Sequence, residues 1–356
     1  MTMPEGKIFA LEGEATTVSS GATPHPLTLR ANVGDCIKVN LTNKMKASRA
    51  SFFAPGLAFD PKDSQGLNVG NNGGDQTVGP GERRAYTYYA HPLNKETTSL
   101  VWDGGNIVVN PRNGLYGAII VGPKGSQYRD PVTGADISQK NSWRADVIVD
   151  ASLPENVGKR NYRDVSLFFQ DEDNIIGTAF MPYVQNVAGL TSVNYRAEPY
   201  KFREEQGCSL GKIFQPCVVD KPEDPATPVI EAHAGDALRI HVIGANSEQN
   251  GMFGVEGHEW PIEPYMPGAD MISVVEYAGS ETLDVFLRGG AGGPYRQVGD
   301  FVWSNQRLPY TQSGQWGYLR VLPVGDSRIQ PLNTVGVGAK RADATPAVKA
   351  IPTAMK

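Results

Sequence analysis

The sequence predicts an all-β fold of two β-sandwich domains, and three observations carry that prediction. The first is an internal echo: Leu29-Arg-Ala-Asn-Val-Gly-Asp-Cys-Ile-Lys-Val-Asn40 returns as Ile230-Glu-Ala-His-Ala-Gly-Asp-Ala-Leu-Arg-Ile-His241. Each copy sets Gly-Asp, a turn or bulge signal, between two runs in which every second residue is apolar, the period of a strand with one buried face. The second is length, because 356 residues exceed what one hydrophobic core ordinarily supports. The third is composition: 40 Gly and 26 Pro punctuate many short strands, and no long helical period intervenes.

The echo is a duplication, since other markers recur in the same order at nearly the same offset. Gly34 and Gly235 are 201 positions apart. Gly114-Leu-Tyr-Gly-Ala-Ile-Ile-Val121 and Gly314-Gln-Trp-Gly-Tyr-Leu-Arg-Val321 are 200 apart. Pro80 to Tyr88 matches Ala278 to Phe286 more loosely.

In chain order, residues 1–125 make the first domain. Gly6 to Glu12 is a strand, the echoed strand follows, and Glu82 to Tyr89 carries aromatics at alternate positions. Leu100-Val-Trp102 and Ala118-Ile-Ile-Val121 close the sheet. Between them, Asp60 to Gly81 is rich in Gly, Asn and Asp. Its carboxylates lack the spacing of a calcium loop, so it reads as a solvated connection. Residues 126–142 form a polar connector, and residues 143–325 form the second domain, opening with strands at Ala145 to Val149 and Val165 to Phe169. An irregular insertion around 185–227 makes this copy the larger one. Residues 326–356 form a low-complexity tail whose composition predicts no packed core of its own.

Charge and cysteine usage narrow the function classes. A net charge of −5 with scattered Lys and Arg gives no basic stripe, so no nucleic-acid partner is expected. No apolar run approaches the ~18–20 residues of a membrane-spanning helix. The stretch Met1 to Lys7 has no apolar core and does not read as a secretory signal. Cys208 and Cys217 flank a short segment that suits a small disulfide loop in an oxidising compartment, with two free thiols as the alternative. Cys36, on the echoed strand, reads as a buried inert thiol.

The same residues carry a resemblance. Phe53-Ala-Pro-Gly-Leu-Ala-Phe-Asp-Pro61, Thr77 to Tyr86 and Gly114-Leu-Tyr-Gly-Ala118 resemble the first cupredoxin domain of multicopper oxidases. Ile243-Gly-Ala-Asn246, Gly257-His-Glu-Trp260 and Gly314-Gln-Trp-Gly317 resemble their terminal cupredoxin domain. The likeness is nearest to the large multi-domain bacterial copper and manganese oxidases and covers all but the tail. It implies Greek-key cupredoxin sandwiches and a location outside the cytoplasm. In active members of the family it also implies substrate oxidation at a blue copper, with electrons passing to a three-copper cluster that reduces O₂.

That chemistry needs grouped imidazoles and a thiolate, supplied in the family by four His-X-His pairs and a Cys. This chain has five histidines, His25, His91, His233, His241 and His258, and no two stand one residue apart. At the positions that the resemblance assigns to ligands it reads Phe53-Ala-Pro-Gly56, Trp102-Asp-Gly-Gly-Asn106, Gly251 to Glu256 and Ser304-Asn-Gln306, then Tyr310 and Gln315. The reading is therefore of vacated copper positions closed by apolar packing, with no metal, no catalytic residue and no bound cofactor expected.

The remaining candidates are weak. His258, beside Glu256 and Glu259, reads as a hydrogen-bonded structural residue. His233 and His241 fall on one face of an extended run, ~26 Å apart at ~3.3 Å per residue, and His25 and His91 read as exposed loop residues. Asp171-Glu172-Asp173 reads as a solvated turn after a strand, and no nucleophile elbow, phosphate loop or dinucleotide fingerprint occurs. Trp102, Trp260, Trp303 and Trp316 suggest either core or a stacking groove for planar ligands.

The expectation is a copper-free member of the fold acting as a structural or binding component, self-associating or held by a protein partner. The alternative is a segment or subunit of an active copper oxidase whose ligands lie elsewhere. A third, an unrelated activity grafted onto the sandwich, would use the tryptophan groove.

Overall fold

A computed structural model describes residues 6–15, 24–173, 189–217, 224–247, 249–332, 347–348 and 350–354. The chain divides into two compact units, Met1–Asn161 with Leu332–Lys356, and Tyr162–Pro331.

In the first unit the strands run β1 (Lys7–Leu11), β2 (Leu27–Asn32), β3 (Cys36–Thr42), β4 (Ala58–Phe59), β5 (Arg83–Tyr89), β6 (Thr97–Val101), β7 (Gly117–Gly122), β8 (Gln127–Arg129) and β9 (Arg144–Ile148). β2, β7 and β6 form one sheet, with β2 parallel and β6 antiparallel to β7. β3, β5 and β4 form the other. The turn at Gly34, whose φ of 92° favours glycine, passes the chain from the first sheet to the second. β3 shows why the sandwich closes: Ile37, Val39 and Leu41 are buried and meet Leu29 and Ala31 of β2, Tyr86 and Tyr88 of β5, and Ile119 and Val121 of β7 in one cluster. Each such buried aliphatic side chain contributes about 1.5–3 kcal/mol relative to exposure.

The second unit contains β10 (Tyr162–Asp173), β11 (Gly189–Val193), β12 (Val229–His233), β13 (Leu238–Ser247), β14 (Gly251–Val255), β15 (Trp260–Pro261), β16 (Met271–Ile272), β17 (Val274–Tyr277), β18 (Thr282–Phe286), β19 (Gly299–Asn305) and β20 (Trp316–Leu322). One sheet is ordered β12-β20-β19-β14-β17, and the other contains β18-β13-β10 with β11 on β10. Phe169 of β10 reaches across to Phe253 of β14 at 6.0 Å and Trp303 of β19 at 6.3 Å, ring centre to ring centre, so aromatic contacts join the two sheets.

The duplication is visible in the register. β2 lies parallel to β7 with Leu27 opposite Gly117, and β12 lies parallel to β20 with Val229 opposite Tyr318. Gly235, φ 85°, repeats the sheet-to-sheet turn of Gly34. The Gly-X-X-Gly marker has the same two uses in each copy. Gly114 and Gly314 take left-handed φ values of 98° and 107°. Gly117 and Gly317 sit where a Cβ would lie 2.6 Å from the carbonyl oxygens of Leu27 and Pro228.

Several expectations need correction. Cys36 is a free, exposed thiol, because the alternation of β3 turns residue 36 outward while Ile37 faces in. His233 and His241 do not share a face: the Gly235 turn puts them on β12 and β13, in different sheets. Asp171, Glu172 and Asp173 are not a turn but the end of β10, paired with β11. The connector holds β8, paired with β9. The tail forms two strands, β21 (Ala347–Val348) against β3 and β22 (Ala350–Ala354) against β1. Parts of the insertion, residues 185–188 and 218–223, lie outside the described residues; the rest includes a helix over Tyr200–Glu205. There Cys208 and Cys217 are joined by a disulfide with Cα atoms 5.4 Å apart.

Candidate functional site

In the second unit the positions assigned to copper ligands converge at the end of β19 and the start of β20, where they hold an amide network. The Asn305 side-chain nitrogen donates to Gln315 Oε1 at 2.8 Å and to the Tyr277 hydroxyl at 3.1 Å. Its oxygen accepts the backbone N–H groups of Met252 and Arg307. Gln315 Nε2 donates to the Gln170 carbonyl at 2.8 Å. Asn305, Gln315, Tyr277 and Tyr310 are all at most 2 % exposed. The expected apolar filling is thus polar in part. The short helix Leu308–Gln312, which places Tyr310, is bound to this knot by the Thr311 hydroxyl donating to the Asn305 carbonyl.

In the first unit the Trp102-to-Asn106 stretch is organised by Asp103, which is fully buried. Its carboxylate accepts the N–H groups of Ser51 and Asn106 and the Asn110 amide. Burial pushes its pKa up, against the pull of those bonds. Phe53 bridges to Trp102 through paired backbone hydrogen bonds, and Gly105 lies where a Cβ would be 2.5 Å from the Ala50 nitrogen. Backbone and hydrogen bonds fill this region.

The histidines are likewise engaged. His258 receives the Gly292 N–H on Nε2 at 3.0 Å, so its proton is on Nδ1, which donates to the Glu256 carbonyl at 2.7 Å. Both ring nitrogens are used, and burial holds its pKa down. His233 contacts Arg163 at 3.2 Å and the Asp326 carbonyl at 2.9 Å. His241 sits between Asp164, 2.6 Å from Nε2, and Asp284, 2.7 Å from Nδ1. Those spacings suit shared protons and leave no room for a cation between donor and acceptor. Burial, the largest single effect, pulls the His241 pKa down, and the two carboxylates together outweigh it and raise the pKa. His25 and His91 are half-buried, and the His91 ring caps a short turn by accepting the Leu93 N–H.

Among the described residues, no three His, Cys, Asp or Glu side chains are grouped to hold a metal ion. The carboxylates of the Asp60-to-Gly81 loop are taken up by donors of the loop itself and by Arg49 and Arg84 beside it. Asp75 accepts from Asn68, Thr77 and Arg49, and the Asn68 and Thr77 bonds lower its pKa to about 2. Trp260, Trp303 and Trp316 are at most 1 % exposed, so they present no face to a ligand.

A cleft of about 600 Å³ in the second unit is lined by Glu256, His258, Glu259, Arg288, Tyr295 and Gln306, among others. Glu259 is paired with Arg288, and Tyr295 stands 86 % exposed at its lip. The lining offers hydrogen bonds to a polar ligand. Sequence reasoning missed this cleft because its lining is gathered from separate stretches, 255–259, 273–274, 288–297 and Gln306, which no single motif joins.

Copper does not fit the residues at the ligand positions. They supply amide, phenol and backbone groups where a thiolate and imidazoles are needed, and the bonds described above already occupy the Asn305 and Gln315 donors and acceptors.

No protein-family model matches the sequence, and no curated protein matches it. Solved structures do. A multicopper oxidase, mgLAC, is 15 % identical over 85 % of this chain and 80 % of its own, with a TM-score of 0.54. A blue copper oxidase from Nitrosomonas europaea is 16 % identical over 84 % and 77 %, TM-score 0.52. A copper nitrite reductase from the same organism is 15 % identical over 88 % and 89 %, TM-score 0.51. At such identities the likeness speaks for architecture: the chain has the tandem cupredoxin fold that multicopper oxidases and copper nitrite reductases share.

Proposed function

We propose that this chain is a copper-free cupredoxin pair that serves as a structural or binding component of a larger assembly outside the cytoplasm. The carrying observation is the Asn305–Gln315–Tyr277 network, bonded to itself and to backbone around two positions, Asn305 and Gln315, that the resemblance assigns to copper ligands. A site that had merely lost one ligand would leave buried donors without partners, at a cost of about 1–3 kcal/mol each. This one is rebuilt as core. The disulfide supports an oxidising compartment, and the tail strands paired to β1 and β3 support the assembly reading. No helix among the described residues is long and apolar enough to cross a membrane.

The test is elemental analysis of the full chain after copper loading and exhaustive buffer exchange, with a visible spectrum. The expected result is copper far below one atom per chain and no thiolate-to-copper band. Stoichiometric, tightly held copper would overturn the reading.

A further inference from the structure

β1 is a buried strand: Ile8, Phe9 and Ala10 are at most 3 % exposed, and the Phe9 ring meets Phe52 edge-on at 5.5 Å. Among the described residues its one paired strand is β22, antiparallel over five residue pairs from Lys7 opposite Ala354 to Leu11 opposite Ala350. Next to it, β21 is the outermost strand of the sheet β21-β3-β5-β4, parallel to β3 with Ala347 opposite Lys38. One short C-terminal segment therefore closes two edges of the first unit.

That segment comes from far along the sequence. Residues 333–346 separate Leu332 from Ala347, and fourteen residues span at most ~50 Å when extended. The reach is ample for a neighbouring molecule. Pro352, opposite Phe9, has no N–H to give, so this ladder is weaker than a regular one, as is usual for edge strands. The backbone bonds that β22 makes to its own β1 are the same ones it would make to β1 of another copy. Exchange of an identical element costs little beyond association.

We infer that the edges of β1 and β3 are a strand-acceptor surface, filled in the assembled protein by the C-terminal strands of a second copy of this chain, each copy lending its strands to the other. The inference rests on the assembly part of the proposed function and is independent of its copper part.

Two variants, Lys7→Cys and Ala354→Cys, each combined with Cys36→Ser, place thiols at one register pair. They are mixed, concentrated and oxidised mildly. The expected product is a link of the two different variants at twice the 38.4 kDa of one chain, identified by mass spectrometry of the joined peptides, while a chain ending at Leu332 stays monomeric by light scattering. If the mixture stays unlinked, exchange between copies is overturned. Copper content of the same preparations reads the copper part separately.

Discussion

The Asn305 amide and the Gln315 side chain face each other at 2.8 Å in the core of the second unit, ten residues apart on β19 and at the head of β20. Asn305 serves four partners with one side chain. Replacing it with Leu keeps the volume and strands those partners in a dry site. The expected loss is at least about 2 kcal/mol, from buried groups left unsatisfied at ~1–3 kcal/mol each. It is read as a lower urea midpoint at an unchanged slope. A neutral outcome would mean that the network contributes nothing to folding.

The repeated glycines make a paired prediction. Gly117→Ala and Gly317→Ala each force a methyl against a neighbouring strand's carbonyl, and at Gly317 also within 2.4 Å of the Trp303 ring. Each is expected to cost about 1–3 kcal/mol by overpacking. Gly70→Ala serves as the control: a Cβ there meets nothing within 4 Å, so only the strain of its positive φ of 48° counts. Thermal melts rank the three, and equal effects would remove the close-approach explanation.

Stability should depend on pH through the row Asp164–His241–Asp284, with Arg239 bonded to Asp284 at 2.6 Å and to the Tyr265 hydroxyl at 2.9 Å, and the Tyr162 hydroxyl 3.3 Å from it. The folded His241 pKa lies above its usual 6.5, so its contribution is complete below about pH 6.5 and fades as pH rises through the folded value. The Asp284 pKa is depressed below 3.8, because Arg239 and His241 together outweigh burial, the largest single effect, so its contribution is complete above about pH 4 and fades in stronger acid. Urea unfolding from pH 3 to 9 should give a plateau between those limits. His241→Ala should cost about 3–5 kcal/mol on that plateau, because it leaves two buried carboxylates facing a gap, and should remove the alkaline decline. An alkaline decline that survives the substitution would assign it to another group.

Much of the fold was legible because it is written in local patterns. The Gly-Asp turn, the alternation of β3 and the Gly-X-X-Gly pair each state a backbone requirement at the residue that meets it. Buried polarity was not legible. Arg239 and His241 alternate with Leu238, Ile240 and Val242 and read as an outward face, yet both are fully buried. Their partners Asp164 and Asp284 are brought in by the flanking strands from 77 and 43 residues away, and nothing in the strand itself announces them. The copper positions show both sides of this limit. The want of imidazole was plain, whereas the polar network standing there depends on Tyr277 and Gln170, which no motif singles out.

In each unit a strand made early is seated beside one made much later: Leu27 waits for Gly117, and Val229 for Tyr318. A ribosome delivers these partners some ninety residues apart, so β2 and β12 must wait for most of a domain's length of chain before their parallel neighbours can dock. Such distant pairing slows folding and lengthens the time that bare strand edges are exposed. The newborn chain is most prone to clumping just before β7 and β20 arrive.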